Sequence, residues 1–330
     1  MFKKIFSVLC CILLIGTLAV GCSEQNQKTT LRVNEVTHSI FYAPFYAAIN
    51  LGYFSEEGLE IELTNGGGSD KSMTALLSGH ADIGLMGPET AVYVCNEGRE
   101  DHAVVIGQLT KRDGSFLLGK QPDAEFTWEK LRGTSIIGGR KGGMPQMMLE
   151  YVMKKNNIIP NVDATVRTDV QFDLMGGAFI GGEDDYVALF EPVASTVELA
   201  SQGYIVASIG QESGEVPYTC FMVLKSFTEK NPDTINRFLR ALYKAQQWIK
   251  TASIDEIAQA LAPSFPDNDE TLLKTVIERY RSIDVWTDSP AMEEEAYNRL
   301  IEVITDAGII SQAPDFNTVA DNSFAKKLQN

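Results

Sequence analysis

The sequence predicts an α/β protein with two lobes, two short crossings between them and a helical C-terminal tail. The first observation is an alternation of short apolar strands and helices over residues 31–109, in the order β-α-β-α-β-α-β. This order is typical of a parallel sheet with helices on its faces. The second observation is another α/β block of similar size over residues 116–209. The third is a purely helical pattern from Lys225 onward.

Size and composition fit a two-domain globular protein. The chain has 330 residues, and 44% of them are hydrophobic. The formal net charge of −16 argues against a nucleic-acid partner, because phosphates repel an acidic surface. We expect one lobe to contain residues 31–115 and 222–330, and the other to contain residues 116–221. We also expect a monomer.

The N-terminus is predicted to be a signal peptide over residues 1–21. A short basic head precedes an apolar run over residues 5–20, which is too short to span a membrane comfortably. Residues 18–22 resemble a bacterial lipobox, although Ala19 occupies the position where leucine is usual. We therefore expect a lipid on Cys22 that anchors the chain on the extracytoplasmic side of the cell membrane. The alternative is an ordinary secreted protein with a stray cysteine.

The remaining N-terminal and cysteine features follow from this interpretation. Residues 22–30 are polar and without periodicity, which is typical of a tether. Cys10 and Cys11 leave with the signal peptide, so Cys95 and Cys220 remain beside the anchor. Two distant cysteines do not make a disulfide framework, and we expect two buried free thiols.

In the first block, local sequence features predict each strand and helix. Alternating or continuous apolar residues predict the strands. Pro44 is tolerated in a first helical turn, and Gly52 is a plausible helix end. Ser69 or Asp70 caps the second helix. The predicted strands cover residues 31–36, 59–63, 81–86 and 103–109, and the predicted helices cover residues 45–50, 70–78 and 87–96.

The second block and the tail are assigned in the same way. The predicted strands cover residues 116–118, 135–137, 164–167, 186–190 and 204–209, and the helices cover residues 144–155, 170–179 and 191–201. Two short extended crossings are expected near residues 114–119 and 218–224, and the second is predicted to be a strand that could return to the first block. The tail contains a long amphipathic helix, a helix that starts with a Ser253/Glu256 capping box, and helices over residues 269–281 and 290–306. We expect the tail to pack on one lobe, and the two lobes to form a hinged cleft.

Candidate ligand residues are the polar and aromatic side chains in loops after strands, because ligands of open α/β sheets bind beyond the carboxyl ends of the strands. The predicted ligand-binding residues are Thr37, His38, Ser39, Tyr42, Gly68, Ser69, Gly87, Pro88, Glu89, Thr90, Arg112, Arg140, Gly142, Tyr186 and Glu191. His38 and Tyr42 are favoured slightly over the alternative in which they serve the core and the helix cap. Residues 66–69 are equally well explained as a plain turn.

Residues 138–143 form the best anion cradle in the sequence, because helix N-terminal amides and nearby cations favour negative charge. A solvated basic turn explains them about equally well. Glu89 and Glu191 each start a helix directly after a buried strand. Either carboxylate could cap its helix, or could accept a hydrogen bond from an amine or amidine group.

Catalytic and metal-binding patterns are missing from the sequence. It contains neither a G-x-S-x-G nor an H-E-x-x-H motif, and His38 is distant from the other histidines and from Cys95. We expect no catalytic set, no metal and no cofactor.

Several segments together resemble one family. Residues 41–48 (Phe-Tyr-Ala-Pro-Phe-Tyr-Ala-Ala) and 51–60 are similar to the opening of the solute-binding proteins of ABC importers for nitrate, sulfonates, taurine and thiamine-pyrimidine precursors. Residues 75–84 and 190–192 match later segments of that family, and residues 307–308 with 319–325 resemble its tail. The resemblance implies a two-lobed periplasmic-binding-protein fold that closes on a small molecule and delivers it to a permease and its ATPase. It also implies that residues 37–42, residues 87–90 and Glu191 contribute to the site.

The candidate residues fit three classes of ligand. Arg112, Arg140 and Lys141 favour an anion such as a sulfonate, whereas Glu89 and Glu191 with the aromatics favour an aminopyrimidine. A zwitterion such as taurine could use both sets. A eukaryotic branch of the family synthesises the thiamine pyrimidine with a cysteine-rich motif, which this chain lacks. The alternatives to a solute receptor are an enzyme of the same fold and an adhesive lipoprotein with a degenerate cleft.

Overall fold

The computed structural model describes residues 28–328, which form two five-stranded sheets with helices packed around them. The predicted signal peptide and Cys22 lie outside the described residues. The strands are β1 Thr29–Glu35, β2 Leu59–Asn65, β3 Ile83–Met86, β4 Ala103–Thr110, β5 Ser115–Gly119, β6 Ser135–Ile137, β7 Thr165–Arg167, β8 Tyr186–Phe190, β9 Tyr204–Ser208 and β10 Thr219–Leu224.

The helices follow the strands in both blocks and then occupy most of the C-terminal third. They are α1 Ala43–Asn50, α2 Tyr53–Glu56, α3 Ser69–Leu77, α4 Glu89–Asn96, α5 Met144–Lys155, α6 Met175–Gly181, α7 Val193–Leu199, α8 Ile209–Ser213, α9 Lys225–Lys230, α10 Pro232–Thr251, α11 Ile254–Leu261, α12 Glu270–Ser282, α13 Glu294–Asp306 and α14 Phe316–Val319. In the described part of the chain, none of these helices combines the length and the apolar character needed to cross a membrane.

Local sequence explains where several helices begin and end. Gly52 has a φ of 80°, a left-handed conformation that favours glycine, and it separates α1 from α2. The predicted capping box is present, with Ser253 and Glu256 each bonded to the other's backbone N–H. Asp269 caps α12 by accepting from the backbone N–H of Leu272. The helices expected to start at residues 191 and 290 instead start at Val193 and Glu294.

The first sheet has the order β2-β1-β3-β10-β4, and the second has the order β7-β6-β8-β5-β9. In the first sheet β1 runs parallel to β2 and β3, and in the second β6 runs parallel to β7 and β8. One strand in each sheet is antiparallel to its neighbours, namely β10 in the first and β5 in the second. Both sheets are therefore mixed rather than purely parallel.

The two segments expected to be crossings are strands, as predicted, and the second does return to the first sheet, but both lie inside the sheets instead of between the lobes. The chain passes between the sheets over residues 111–114 and 214–218, just before β5 and β10. Each crossing brings the chain to the carboxyl edge of the sheet that it enters. A strand that starts at this edge must run against the strands that end there, which explains why β5 and β10 are antiparallel.

The C-terminal helices contact both lobes, whereas the sequence predicted that they pack on one lobe. Helices α10 and α11 pack on α1, beside the first sheet, and α10 buries the predicted face that includes Phe238 and Leu242. Helix α12 contacts α7, and α13 contacts α5, on the side of the second sheet. The amphipathic pattern shows that a helix face is buried, but it does not show which lobe covers it.

The two remaining cysteines are free. Cys220 lies fully buried in β10, and Cys95 lies partly buried in α4. Burial raises the pKa of both thiols, which therefore stay protonated near neutral pH. The expectation of free thiols is met, although only one of them is fully buried.

Candidate functional site

A cavity of about 310 Å³ lies between the two sheets and is lined from both sides. The loops after β1, β2 and β3 line one side, and the loops after β6 and β7 together with the end of β8 line the other. Tyr218 and Thr219, at the start of β10, complete the wall. We call this cavity the cleft. It lies at the carboxyl edges of the parallel strands, where ligands of open α/β sheets bind.

The structure brings together some of the predicted ligand residues and separates others. Those that line the cleft are Thr37, Ser39, Tyr42, Gly68, Ser69, Gly87 and Arg140. Those outside the lining are His38, Pro88, Glu89, Thr90, Arg112, Gly142, Tyr186 and Glu191, and Lys141 lies outside it as well. Each separation has a structural reason.

His38 is turned toward the C-terminal helices. Its Nδ1 lies 2.8 Å from Glu35 Oε1, and its Nε2 lies 2.7 Å from the backbone oxygen of Ser264. The carbonyl oxygen can only accept, so Nε2 carries a proton. The hydrogen bond to the Glu35 carboxylate raises the pKa of His38. This histidine holds the loop after β1 against the tail instead of facing the cleft.

Arg112 and Tyr186 lie at other places in the fold. Arg112 follows β4 at the first crossing, where its Nη2 lies 3.1 Å from Glu215 Oε1 of the second crossing. Tyr186 is the first residue of β8 and packs on Phe126, with ring centroids 6.0 Å apart. It therefore lies at the edge of the sheet opposite the cleft. Only Phe190, at the other end of β8, reaches the cleft.

Glu191 is buried in a network of hydrogen bonds that satisfies it. Its carboxylate accepts from the backbone N–H of Ser195 at 2.9 Å and from the Ser195 hydroxyl at 2.8 Å, and it forms an ion pair with Arg279 of α12. Its backbone N–H donates to the Tyr280 hydroxyl at 3.0 Å. The residue thus connects the second sheet to α12, with its carboxylate turned to Arg279.

Glu89 and its neighbours form the start of α4, directly beneath the cleft. Pro88, Glu89 and Thr90 are buried, and the Thr90 hydroxyl donates to the backbone oxygen of Gly87 at 2.7 Å. Burial raises the pKa of Glu89 to about 7, against the opposing effects of its own backbone N–H and of Arg140. Near neutral pH this carboxyl group is therefore about half protonated.

Gly142 contacts the opposite lobe. Its backbone oxygen accepts a hydrogen bond of 3.2 Å from the Tyr93 hydroxyl of α4, and its N–H donates to Gln146 at 2.9 Å. This glycine lies between the lobes, beside the cleft but outside its lining. Neighbouring Gly143, Met144 and Pro145 form the wall instead.

Aromatic side chains form one wall of the cleft. Phe190 packs against Phe172 and Tyr218 in tilted arrangements, with ring centroids 5.6 Å and 6.0 Å apart. Tyr42 and Tyr218 are almost fully buried, and burial raises the pKa of both hydroxyls. They remain neutral hydrogen-bonding groups over the physiological pH range. A flat organic molecule would find both apolar surface and hydroxyl partners here.

Charged side chains occupy the rim. Arg140 and Lys71 supply positive charge, and Asp70, Asp169 and Asp173 supply negative charge. Arg140 Nη2 lies 3.5 Å from Asp70 Oδ1, an ion pair that links the two sides of the cleft. The amino end of α3 also borders the cavity at Ser69, where the positive end of the helix dipole favours an anion. Among residues 28–328, no group of three or more His, Cys, Asp or Glu side chains is arranged to hold a metal ion.

Sequence reasoning missed several lining residues. The segment over residues 168–173 follows β7, so the rule about carboxyl ends of strands would have selected it. Tyr218 and Thr219 escaped notice because this segment was interpreted as a crossing. Asp70 and Lys71 lie directly after the predicted Ser69, in the first turn of α3.

Known proteins are similar to this chain in sequence. The family model described as NMT1/THI5 like matches residues 40–252. YtlA of Bacillus subtilis, whose name describes it as a binding protein, is 41% identical over 317 residues, which cover 96% of this chain and 95% of YtlA.

Two solved structures have the same fold at low sequence identity. The alkanesulfonate-binding protein SsuA from Xanthomonas axonopodis pv. citri, bound to MOPS, is 14% identical with a TM-score of 0.71, over 90% of this chain and 99% of that one. The periplasmic aliphatic sulphonate binding protein SsuA from Escherichia coli is 16% identical with a TM-score of 0.69, over 88% of this chain and 97% of that one. The fold is the two-lobed fold of periplasmic binding proteins, and the chain belongs to the NMT1/THI5-like family.

Proposed function

We propose that this protein is the extracytoplasmic solute-binding component of an ABC importer. It captures a small molecule in the cleft by lobe closure and delivers it to a permease and its ATPase. The observation that carries the proposal is the cleft itself, a cavity of about 310 Å³ with walls from two sheets that are joined by two short crossings. Two lobes connected in this way can close around a ligand.

The lining favours an organic sulfonate as the ligand. Arg140, Lys71 and the amino end of α3 offer positive potential to an anionic group, and the aromatic wall offers apolar surface to an organic body. Nitrate would fill only a small part of the cavity. The two SsuA proteins with the same fold are named as sulfonate-binding proteins, which supports the same ligand class here.

The aminopyrimidine alternative relied on two carboxylates, Glu89 and Glu191, and the second of them is not available to a ligand. The family resemblance assigned Glu191 to the site, but in this chain Arg279 and Ser195 already satisfy that side chain. The enzyme alternative depended on the same residue. We therefore propose binding and release without a chemical step.

The ligand proposal is tested by calorimetry and thermal unfolding with benzenesulfonate, ethanesulfonate, taurine, nitrate and a 4-aminopyrimidine. We expect the organic sulfonates to bind and to raise the melting temperature, because a ligand that binds only the folded state stabilises it. The receptor proposal fails if no compound of this panel or of a wider metabolite panel binds. The sulfonate assignment fails if the aminopyrimidine or nitrate binds more tightly than every sulfonate.

We further propose that a lipid on Cys22 anchors the protein to the membrane. The lipobox-like sequence at residues 18–22 supports this assignment. Expression of the full chain with a labelled fatty acid is expected to label the wild type and not the Cys22→Ser variant. Equal labelling of both proteins, or of neither, contradicts the anchor.

A further inference from the structure

One buried carboxylate at the cleft has an oxygen without a partner. Glu89, the first residue of α4, is 1% exposed. Its Oε2 has no hydrogen-bond partner within residues 28–328. Leaving a buried polar atom unpartnered destabilises the folded protein, and a charged group more than a neutral one. Such an atom at a binding site indicates a group that a ligand can satisfy.

The position of Gly87 brings this oxygen to the cleft wall. A Cβ atom built on Gly87 would lie 2.0 Å from Glu89 Oε2 and 2.6 Å from Oε1. The carboxylate therefore occupies the space that a side chain at residue 87 would need. Gly87 itself lines the cleft, so no side chain of its own covers the carboxylate there.

The groups that respond to the charge of Glu89 also belong to the cleft. Burial is the main cause of the raised pKa of Tyr42 and of Tyr218, and the Glu89 carboxylate adds a smaller increase to both. Arg140 in turn favours the charged form of Glu89. These three partners all line the cavity, two on its aromatic side and one on its rim.

Glu191 supplies an internal comparison. Both residues follow a buried strand and precede or begin a helix, and both are 1% exposed. The carboxylate oxygens of Glu191 are held by Ser195 and Arg279, whereas Glu89 has an oxygen with no such partner in the described chain. Of these two residues, Glu89 is therefore the one with an oxygen available to accept a hydrogen bond from a bound molecule.

We propose that Glu89 is a specificity-determining residue that accepts a hydrogen bond from an N–H group of the ligand. This inference rests on the proposed function and narrows its ligand class. The bound molecule carries an anionic group for Arg140 and Lys71 at the rim, a flat or compact body for the aromatic wall and an N–H donor for Glu89. An aminated sulfonate has all three features.

The test uses matched compounds that differ in the N–H group. We would measure dissociation constants by calorimetry for 3-aminobenzenesulfonate, its N,N-dimethyl derivative and benzenesulfonate, and for taurine against ethanesulfonate. For each set we compare the dissociation constant of the compound without an N–H group with that of the compound that has one. For the wild type we expect this ratio to be about ten in at least one set, as a hydrogen bond to a charged group predicts. In Glu89→Met, which keeps the volume and removes the acceptor, this ratio is expected to fall to about one.

Two further variants separate specificity from structure. Glu97→Gln changes a carboxylate at the opposite end of α4, and the ratio is expected to stay at its wild-type value. Glu89→Gln keeps the size and loses the charge, and we expect an intermediate ratio. The melting temperature of Glu89→Met is expected to equal or exceed that of the wild type, because an unpartnered carboxylate has been removed.

The outcomes distinguish this inference from the proposed function. If wild type binds the parent sulfonates and gains nothing from the N–H group, the inference is overturned and the receptor proposal stands. If the ratio is unchanged in Glu89→Met, whether or not that variant loses stability, Glu89 is structural and the inference is overturned. If wild type binds no compound of these sets or of the wider panel, both proposals fail.

Discussion

The Ser39 hydroxyl donates a hydrogen bond of 2.8 Å to the backbone oxygen of Glu191, and this bond joins the loop after β1 to the end of β8. The same hydroxyl oxygen accepts from the backbone N–H of Phe41 at 3.2 Å and so caps the short 3₁₀ helix over residues 40–42. One buried side chain therefore shapes the cleft loop of the first lobe and holds it against the second.

Replacing Ser39 by alanine is expected to weaken both folding and binding. The variant loses a helix cap and leaves the backbone oxygen of Glu191 without its partner, at a cost of about 1–3 kcal/mol in the free energy of unfolding. Urea unfolding and calorimetry with the best sulfonate of the panel measure the two effects. Ser208→Ala removes a comparable cap from α8 and serves as the control. Equal ligand affinity in the two variants would contradict a role for Ser39 in shaping the cleft.

Replacing Arg279 by methionine is expected to destabilise the protein strongly. The side chain of Glu191 is 0% exposed, so the variant buries a carboxylate without its counter-charge. Removing one partner of a buried pair costs about 3–5 kcal/mol. Adding Glu191→Gln to this variant should recover part of the loss, since an amide needs no counter-charge. If the free energy of unfolding of Arg279→Met is within about 1 kcal/mol of the wild-type value, this pair contributes no more than an ordinary surface ion pair.

Replacing Arg140 by glutamine is expected to affect binding far more than stability. Its ion pair with Asp70 is exposed, with side-chain exposures of 49% and 55%, and pairs of this kind contribute about 0–1 kcal/mol. The dissociation constant for a sulfonate should rise about tenfold, because a charge-assisted contact is lost. The control is Arg240→Gln, which removes an arginine of similar exposure from α10; Arg240 pairs with Glu57 and does not line the cleft. If both variants bind the sulfonate equally, Arg140 has no part in anion binding.

Glu89 is expected to make folding stability depend on pH near neutrality. Its pKa in the folded protein, about 7, lies above its usual value of 4.5, so the folded state prefers the protonated form. The contribution of Glu89 to stability is therefore lost as the pH rises from 4.5 through 7. At about 1.4 kcal/mol for each pKa unit, the loss approaches about 3 kcal/mol above pH 7.

The difference in unfolding free energy between wild type and Glu89→Gln isolates this effect. Asp113 also has a pKa raised by burial, to about 6, but it is present in both proteins and cancels. Chemical unfolding at intervals between pH 5 and pH 8 should show the wild type losing stability relative to the variant as the pH rises. A difference that stays constant over this range would show that Glu89 titrates with an ordinary pKa.

Much of the fold could be predicted because its signals are local. Strands, helices and caps follow from apolar periodicity and from residues such as Gly52 and Ser253. The segments of β5 and β10 were predicted to be extended, but their places inside the two sheets were missed because a strand pairs with neighbours that are distant in sequence. Phe221 of β10 pairs with Leu85 of β3 and with Gly107 of β4, a register that no local pattern specifies.

The site was predicted less completely for a related reason. Glu89 and Glu191 look alike in sequence, since each follows a buried strand at the start of a helical segment. Arg279, which separates their roles, lies 88 residues after Glu191 along the chain. His38 was equally ambiguous, because its partner Ser264 belongs to the C-terminal tail. Rules about strand ends locate a binding region, but long-range partners decide which side chains in it are available.

Helix α12 gives the two lobes a third attachment besides the crossings. Arg279 pairs with Glu191 and with Glu198 of α7, at 2.9 Å for the latter, while Trp286, just beyond the helix, donates to the backbone oxygen of Phe41 at 2.9 Å. A rotation that separated α12 from α7 would break these ion pairs. The axis of lobe opening should therefore pass close to this contact, so that the cleft opens mainly at the rim formed by Asp70 and Arg140 and the aromatic wall near α12 moves least.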